Sequence, residues 1–174
     1  MRTEFFPALT LLLTVVPSFA GDLATKPRTC FTPGEDCTSF IVGEIGRAGH
    51  SVFVQAYGFT SAPIAKALID AKSRGVDVRV ILDSSNATDT YSGADLMLNS
   101  GVRTYIDNPS GIAHNKVMVI DGEIVLTGSF NFTKAAQERN AENVLVITDR
   151  DLADRYARNW HRRQEVSKPY GGRE

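Results

Sequence analysis

The chain has 174 residues, 43% of them hydrophobic and 22% charged, with a formal net charge of -1. That length suits one domain with a core of its own, and the composition excludes a disordered or low-complexity chain. The near-neutral balance excludes capture of a polyanion by bulk charge, so an anionic substrate would need a local cluster of donors.

The first twenty residues, MRTEFFPALTLLLTVVPSFA, differ from the rest. Arg2 supplies a thin positive start, an apolar run covers 5–16, and Ser18-Phe19-Ala20 offers a small-x-small cleavage site. This is the layout of a secretory signal peptide over 1–20. A retained membrane anchor is the alternative; the run is short for a span and holds Pro7, while Glu4 is unusual in a signal peptide. The expected location is periplasmic or secreted, with no stable membrane partner after cleavage. Residues 21–36, rich in Pro, Thr and Gly, read as a loose N-terminal segment. Cys30 and Cys37 flank FTPGED, whose Pro33-Gly34 turn would bring them together. In an oxidising compartment they are expected to form a structural disulfide. As metal ligands they lack the further His or Cys that a site would need.

The main domain is expected over 37–168, with 169–174 as a tail. A helix from about Thr38 carries Phe40, Ile41 and Ile45 on one face, and SVFVQAYGF gives a buried strand over 52–57. Ser61 then caps a helix with Pro63 in its first turn, an apolar stripe of Ile64, Ala67, Leu68 and Ala71, and Gly75 as its stop. VDVRVILD alternates as a strand. Residues 84–101 begin polar and turn helical over 94–98, VRTYID is a short strand, and 108–111 is a turn. The stretch IAHNKVMVIDGEIVLTGSFNFT, 112–133, is a hairpin turning at Asp121-Gly122. A strand NVLVIT follows over 143–148, then a last helix from about Asp151 with Leu152, Tyr156 and Trp160 on one side. This order implies an α/β fold, a mixed β-sheet flanked by helices on both faces.

The hairpin carries the chemistry. Side chains alternate along a strand, so His114 and Lys116 should share a face. Asp121, five residues beyond Lys116, should point the other way and organise the turn or an adjacent ion pair without touching substrate. The return strand brings Ser129 and Asn131 back toward His114. An imidazole that titrates near neutrality, a fixed cation and two hydrogen-bonding side chains suit substitution at a phosphate. His50 and His161 sit in no comparable cluster.

His114-x-Lys116-x4-Asp121-x6-Gly128-Ser129, continuing Phe130-Asn131, resembles the HKD signature of the phospholipase D superfamily. VQAYGFTSAPIAKALIDAKSRGVDVRVILD looks like the first half of that fold, and the chain from about Phe31 to Trp160 is similar to its small secreted bacterial endonucleases. The resemblance implies a phospholipase D-like fold in which His114 is the nucleophile that forms a phosphohistidine. It implies that Lys116, Ser129 and Asn131 bind the phosphate, and that Asp121 and Gly128 are structural. Glu142, in NAENV, resembles the acidic residue that orients the histidine through its far nitrogen. No metal and no cofactor are implied.

Double displacement at phosphorus needs a nucleophile and a separate acid. The chain has one H-x-K, since His50 is followed by Ser51-Val52 and His161 by Arg162-Arg163. Single-motif members of the superfamily pair two copies across a two-fold axis, which implies a homodimer with one composite site. A site that reads phosphate rather than base suits sequence-nonspecific cleavage of DNA, with RNA as a second candidate. A lipid phosphodiesterase acting on cardiolipin or phosphatidylcholine shares the chemistry but would favour an apolar entrance. A nucleic-acid-binding module on a decayed site is the third alternative, and the intact set of five site residues speaks against decay. Arg150, Arg155, Arg158, Arg162 and Arg163 read as a solvated face balanced by Asp151, Asp154 and Glu165, rather than as a backbone track.

Overall fold

A computed structural model describes residues 26–173; the expected signal peptide lies outside them. Strand and helix alternate through the first half: β1 (Arg28–Thr32), α1 (Cys37–Arg47), β2 (Ser51–Ala56), α2 (Ala62–Ser73), β3 (Asp77–Asp83), α3 (Ala94–Asn99) and β4 (Arg103–Asp107). The second half is a meander, β5 (Lys116–Ile120), β6 (Ile124–Gly128) and β7 (Glu142–Thr148), with the short α4 (Lys134–Glu138) before β7. It closes with α5 (Arg150–Val166) and β8 (Lys168–Pro169). One eight-stranded sheet results, in the order β1-β7-β6-β5-β2-β3-β4-β8. β2, β3 and β4 run parallel, joined by helical crossovers, and the other pairs are antiparallel.

The two-residue period of the strands divides the core. Val52, Val54, Val80, Met118, Leu126, Val144 and Val146 belong to a large cluster with Ile41 and Ile45 of α1, Ile64 and Leu68 of α2, and Met97 of α3. Val117, Val119 and Val125 point to the opposite face and meet Leu152, Ala153 and Tyr156 of α5. Trp160 completes that layer; it is fully buried, and its indole N–H donates to Val54 O at 2.9 Å. The mixed sheet with helices on both faces is therefore present.

Three expectations need correction. The segment expected to be loose holds β1, paired along its whole length with β7. Its composition suggests a loop, but its partners are remote in sequence. Arg28 donates two 2.7 Å bonds to the buried Glu44 of α1, and Thr32 Oγ1 donates to Ala136 O and Asn140 O. Cys30 and Cys37 do form a disulfide, tying β1 to the start of α1. Second, the expected tail begins inside β8, which pairs with β4, and the tail's Tyr170 is buried in the core. Third, Ser61 occupies the capping position of α2, but its side chain makes no capping bond.

Candidate active site

Antiparallel register gathers the signature residues at one edge of the sheet. Lys116 opens β5 opposite Ala56, the last residue of β2, and Val117 pairs with Thr127 of β6. Ser129 thus lies just past β6 at the level of His114 and Asn115, and Gly128 pairs with Val144 near the start of β7. Tyr57, following β2, donates its N–H to Asn115 O at 3.0 Å. Gly128 is required here. Its φ is 152°, and a Cβ would come within 2.2 Å of Asn143 O.

His114 precedes β5 rather than lying in it, and it is exposed. The Lys116 ammonium curls back to donate to His114 O at 2.9 Å. Tyr57 holds both residues. Its ring meets the imidazole edge-to-face at 4.6 Å between centroids, and Lys116 Nζ lies 5.2 Å from the same ring's centroid. Lys116 is only 7% exposed. Burial pushes its ammonium below the ordinary lysine value, and the Glu142 carboxylate opposes that shift.

Ser129 Oγ donates to Glu142 Oε2 at 2.6 Å and accepts from the Asn143 N–H at 3.1 Å. The other Glu142 oxygen accepts from Asn140 Nδ2 at 2.9 Å. Within one chain, then, the carboxylate is engaged by Ser129 and Asn140, not by His114. Asn131 Oδ1 is buried with no hydrogen-bond partner. Buried polar atoms are nearly always paired, and because an amide oxygen accepts, the partner missing here is a donor and not a phosphate oxygen.

Asp121 has a separate task. With φ at 54° it makes the left-handed turn residue of the hairpin. Its carboxylate accepts from the N–H groups of Gly49, His50 and Ser51 at 2.9, 2.7 and 2.8 Å. Burial alone would raise its pKa, but the three amides outweigh it and hold the carboxyl below the usual carboxylate range. The expected organising role takes the form of an amide clamp rather than an ion pair.

Sequence reasoning passed over Asp83. This buried carboxylate accepts from Ser85 N–H and Oγ and, at 2.7 Å, from the N–H of Ala113, the residue before His114. Asn86 Nδ2 donates to Tyr57 O at 2.6 Å. The signal was present: Asp83 ends a parallel strand, and α/β sheets place sites at the carboxyl ends of such strands. On α5, Arg150 pairs with Glu123, Arg158 with Asp154 and Arg163 with Asp107. Cys30, Glu35 and Cys37 come close enough to hold an ion, but the disulfide removes both thiolates.

The site is an open rim. His114, Asn115, Ser129 and Asn143 are exposed. Such a rim can present an imidazole nitrogen, a desolvated cation and hydrogen-bonding groups to one phosphate.

Comparison with known proteins agrees with this geometry. The profile of the family described as "Cardiolipin synthase, PLD-like domain" matches residues 41–163. "Phospholipase D" of Rickettsia felis is 50% identical over 142 residues, 82% of this chain and 71% of that one. "Mitochondrial cardiolipin hydrolase" of Xenopus tropicalis is 36% identical over 116 residues, 67% of this chain and 55% of that one. Among solved structures, the phospholipase D family member Nuc from Salmonella typhimurium superposes with a TM-score of 0.79 at 36% identity, over 86% of this chain and 99% of Nuc. NucT from Helicobacter pylori gives 0.78 at 27% identity, over 83% and 99%. The chain belongs to the phospholipase D superfamily and has its phosphodiesterase fold.

Proposed function

We propose that the protein is a metal-independent, sequence-nonspecific endonuclease that hydrolyses DNA, with RNA as a second substrate, at a composite site in a homodimer. The observation that supports this proposal is the exposed rim, where the register of β5 and β6 places His114, Lys116 and Ser129 at one edge of the sheet. A His114 ring nitrogen attacks phosphorus and forms the P–N bond as the P–O bond to the leaving group breaks. The histidine of a second copy gives that oxygen its proton. It then takes a proton from the water that attacks phosphorus and breaks the P–N bond, so atoms and protons balance over the cycle.

The sheet surface supports the pairing. α5 packs on β2, β4, β5 and β6, while register puts Phe31, Asn143 and Leu145 on the part of that face toward β1 and β7. Phe31 is 53% exposed there, and Asn143 of β7 stands between it and Ser129. A second copy seated on this strip would bring two rims together. Glu142, spoken for by Ser129 and Asn140 within its own chain, would then be near the histidine of the other copy. The disulfide supports an oxidising compartment, in keeping with export by the N-terminal segment.

The surroundings of the rim favour nucleic acid. Asn115, Ser129, Asn140 and Asn143 are polar and exposed at this edge; of the large exposed apolar side chains among the described residues, Ile112 and Phe31 lie toward it, Tyr91 and Leu96 line a separate cleft, and Val166 ends α5. The lipid alternative draws its support from the names of the relatives, phospholipase D and cardiolipin hydrolase. One assay separates the two. Purified protein and His114→Ala are incubated with plasmid DNA, RNA and labelled cardiolipin or phosphatidylcholine, with and without EDTA. Nucleic-acid cleavage that survives EDTA and vanishes in the variant is expected; lipid turnover without it would reverse the assignment. Refolding wild type with an equal amount of His114→Ala tests the composite site. Only about one quarter of wild-type activity per total dimer should remain, because mixed dimers lack one histidine.

A further inference from the structure

Tyr57 stands where three segments of the site meet. It follows Ala56, the last residue of β2, which pairs with Lys116 of β5 on one side and with Leu82 of β3 on the other. Both of its backbone groups are engaged. Its N–H donates to Asn115 O at 3.0 Å, and its carbonyl accepts from Asn86 Nδ2 at 2.6 Å. Asn86 is itself buried, and its amide is held by a second bond to Asp83 O and by the Ser92 hydroxyl, which donates to its Oδ1, both at 3.2 Å. The Tyr57 backbone is thereby fixed to the turn after β3 on one side and to the His114 loop on the other.

The ring carried on that anchor meets both His114 and Lys116. In its own chain the Glu142 carboxylate goes to Ser129 and Asn140, and what the His114 imidazole meets is the Tyr57 ring, edge-to-face at 4.6 Å. Lys116 Nζ lies 5.2 Å from the same centroid, within cation–π range. An ammonium has three donors, and His114 O takes one of them at 2.9 Å. Lys116 is almost wholly buried, and a π face stabilises a cation more strongly the less water reaches it. The ring, rather than the phenol hydroxyl, makes both contacts.

We propose that Tyr57 is a positioning residue for the phosphate chemistry: its ring braces the His114 imidazole and gives the buried Lys116 ammonium an electrostatic partner that does not compete with phosphate. The inference rests on the reading of His114 as nucleophile and Lys116 as phosphate ligand, and deepens it. A carboxylate in place of the ring would stabilise the ammonium but repel the substrate; a neutral π face does only the first. The other titratable groups at this end of the sheet are His114 itself, Glu142 of β7, Asp83 of β3, and Asp107 of β4, which is paired with Arg163 of α5. Burial lowers the Lys116 pKa, and the charge of Glu142 opposes that. Weakening the ring's attraction should therefore let Lys116 lose its proton at a lower pH.

The test uses bis(p-nitrophenyl) phosphate, a diester with neither base nor acyl chain. Its p-nitrophenolate departs without a proton, so the leaving-group acid does not shape the alkaline limb of kcat/KM. The full protein and its Tyr57→Phe and Tyr57→Leu variants are assayed across pH, beside proteins carrying mono-, di- and trifluorinated phenylalanine at position 57. For Tyr57→Leu, kcat/KM near neutral pH should fall about tenfold, as expected when a nucleophile loses its alignment, and Tyr57→Phe should restore it. Fluorination drains the π face but keeps the ring, so the series answers the question even if the leucine variant fails to fold. Along it the alkaline limb should move stepwise toward neutrality, by about one pH unit in all, the loss of one desolvated cation–π contact. A limb indifferent to fluorination, a Tyr57→Leu protein with wild-type kcat/KM, or a Tyr57→Phe protein as impaired as Tyr57→Leu would each overturn the inference. Failure of the underlying reading is separately visible, because His114→Ala would then still turn over the diester. DNA left intact by a protein that turns over the diester would remove the nuclease assignment without touching Tyr57.

Discussion

The β5–β6 hairpin has two polar ends, and they are built to opposite specifications. At the turn, the Asp121 carboxylate is met from within by three backbone amides, those of Gly49 and His50 between α1 and β2 and of Ser51 at the start of β2. At the open end, His114 and Ser129 face solvent, Asn131 Oδ1 is buried without a partner, and the Lys116 ammonium is pushed toward neutrality by burial. Both ends belong to one signature. The saturated end suits a residue that holds the fold, and the solvent-facing end suits the phosphate chemistry proposed above.

Substituting one residue at each end gives the largest contrast. His114→Ala should lower diesterase activity by a factor on the order of a thousand or more while leaving urea denaturation almost unchanged, because an exposed side chain contributes little to stability. Asp121→Asn should do the reverse. It keeps the left-handed turn but replaces charge-assisted bonds, so stability should drop by about 2 kcal/mol with activity per folded molecule retained. A variant at position 121 that folds normally but has lost turnover would break the comparison.

Proton linkage sharpens it. Asp121 titrates below its unfolded value, so its stabilisation is complete at pH values above the ordinary carboxylate value of about 3.9 and is lost as pH falls through its folded value. The stability gap between wild type and Asp121→Asn should therefore be full at pH 7 and shrink below pH about 4. Urea titrations at a series of acidic pH values measure it.

Much of this contrast is legible in the order of the amino acids alone. The parallel strands, α2 and the hairpin each carry a periodic pattern or a turn signal, and the spacing from His114 to Asn131 carries the site. Other parts are not legible because they depend on contacts rather than on a local period. β1 offers only RTCFT, and what makes it a strand is its pairing with β7, with Glu44, Ala136 and Asn140 fixing its ends. α4 and β8, at five and two residues, are too short to display a period. Asp83 reads as the polar end of a strand until its bond to Ala113, thirty residues away, is seen. Glu142 illustrates the opposite gap: its position is readable, whereas its bonds to Ser129 and Asn140 are not.

Asp83 lies between the two specifications, saturated by its own chain but acting on the open end. Asp83→Asn keeps the shape and can still accept one bond, yet its amide would face the Ala113 N–H or the Ser85 hydroxyl with a donor. The His114 loop should shift. An activity loss of about tenfold, carried by kcat rather than KM, is expected, since misplacing a nucleophile costs more in the transition state than in binding. A change confined to KM would remove Asp83 from any positioning role.

The smallest effect isolates the charge at the open end. Lys116 is pulled in two directions: burial lowers its pKa and Glu142 raises it. Glu142→Gln removes only the raising influence, so Lys116 should release its proton at a lower pH than in the wild type. If the ammonium is needed for phosphate binding, the alkaline limb of the pH–rate profile on bis(p-nitrophenyl) phosphate must move toward neutrality. A role for Glu142 confined to orienting histidine would lower kcat at every pH and leave that limb where it was. The two contributions are thus separable in one variant: the height of the profile reports the histidine, and the position of its alkaline limb reports the lysine.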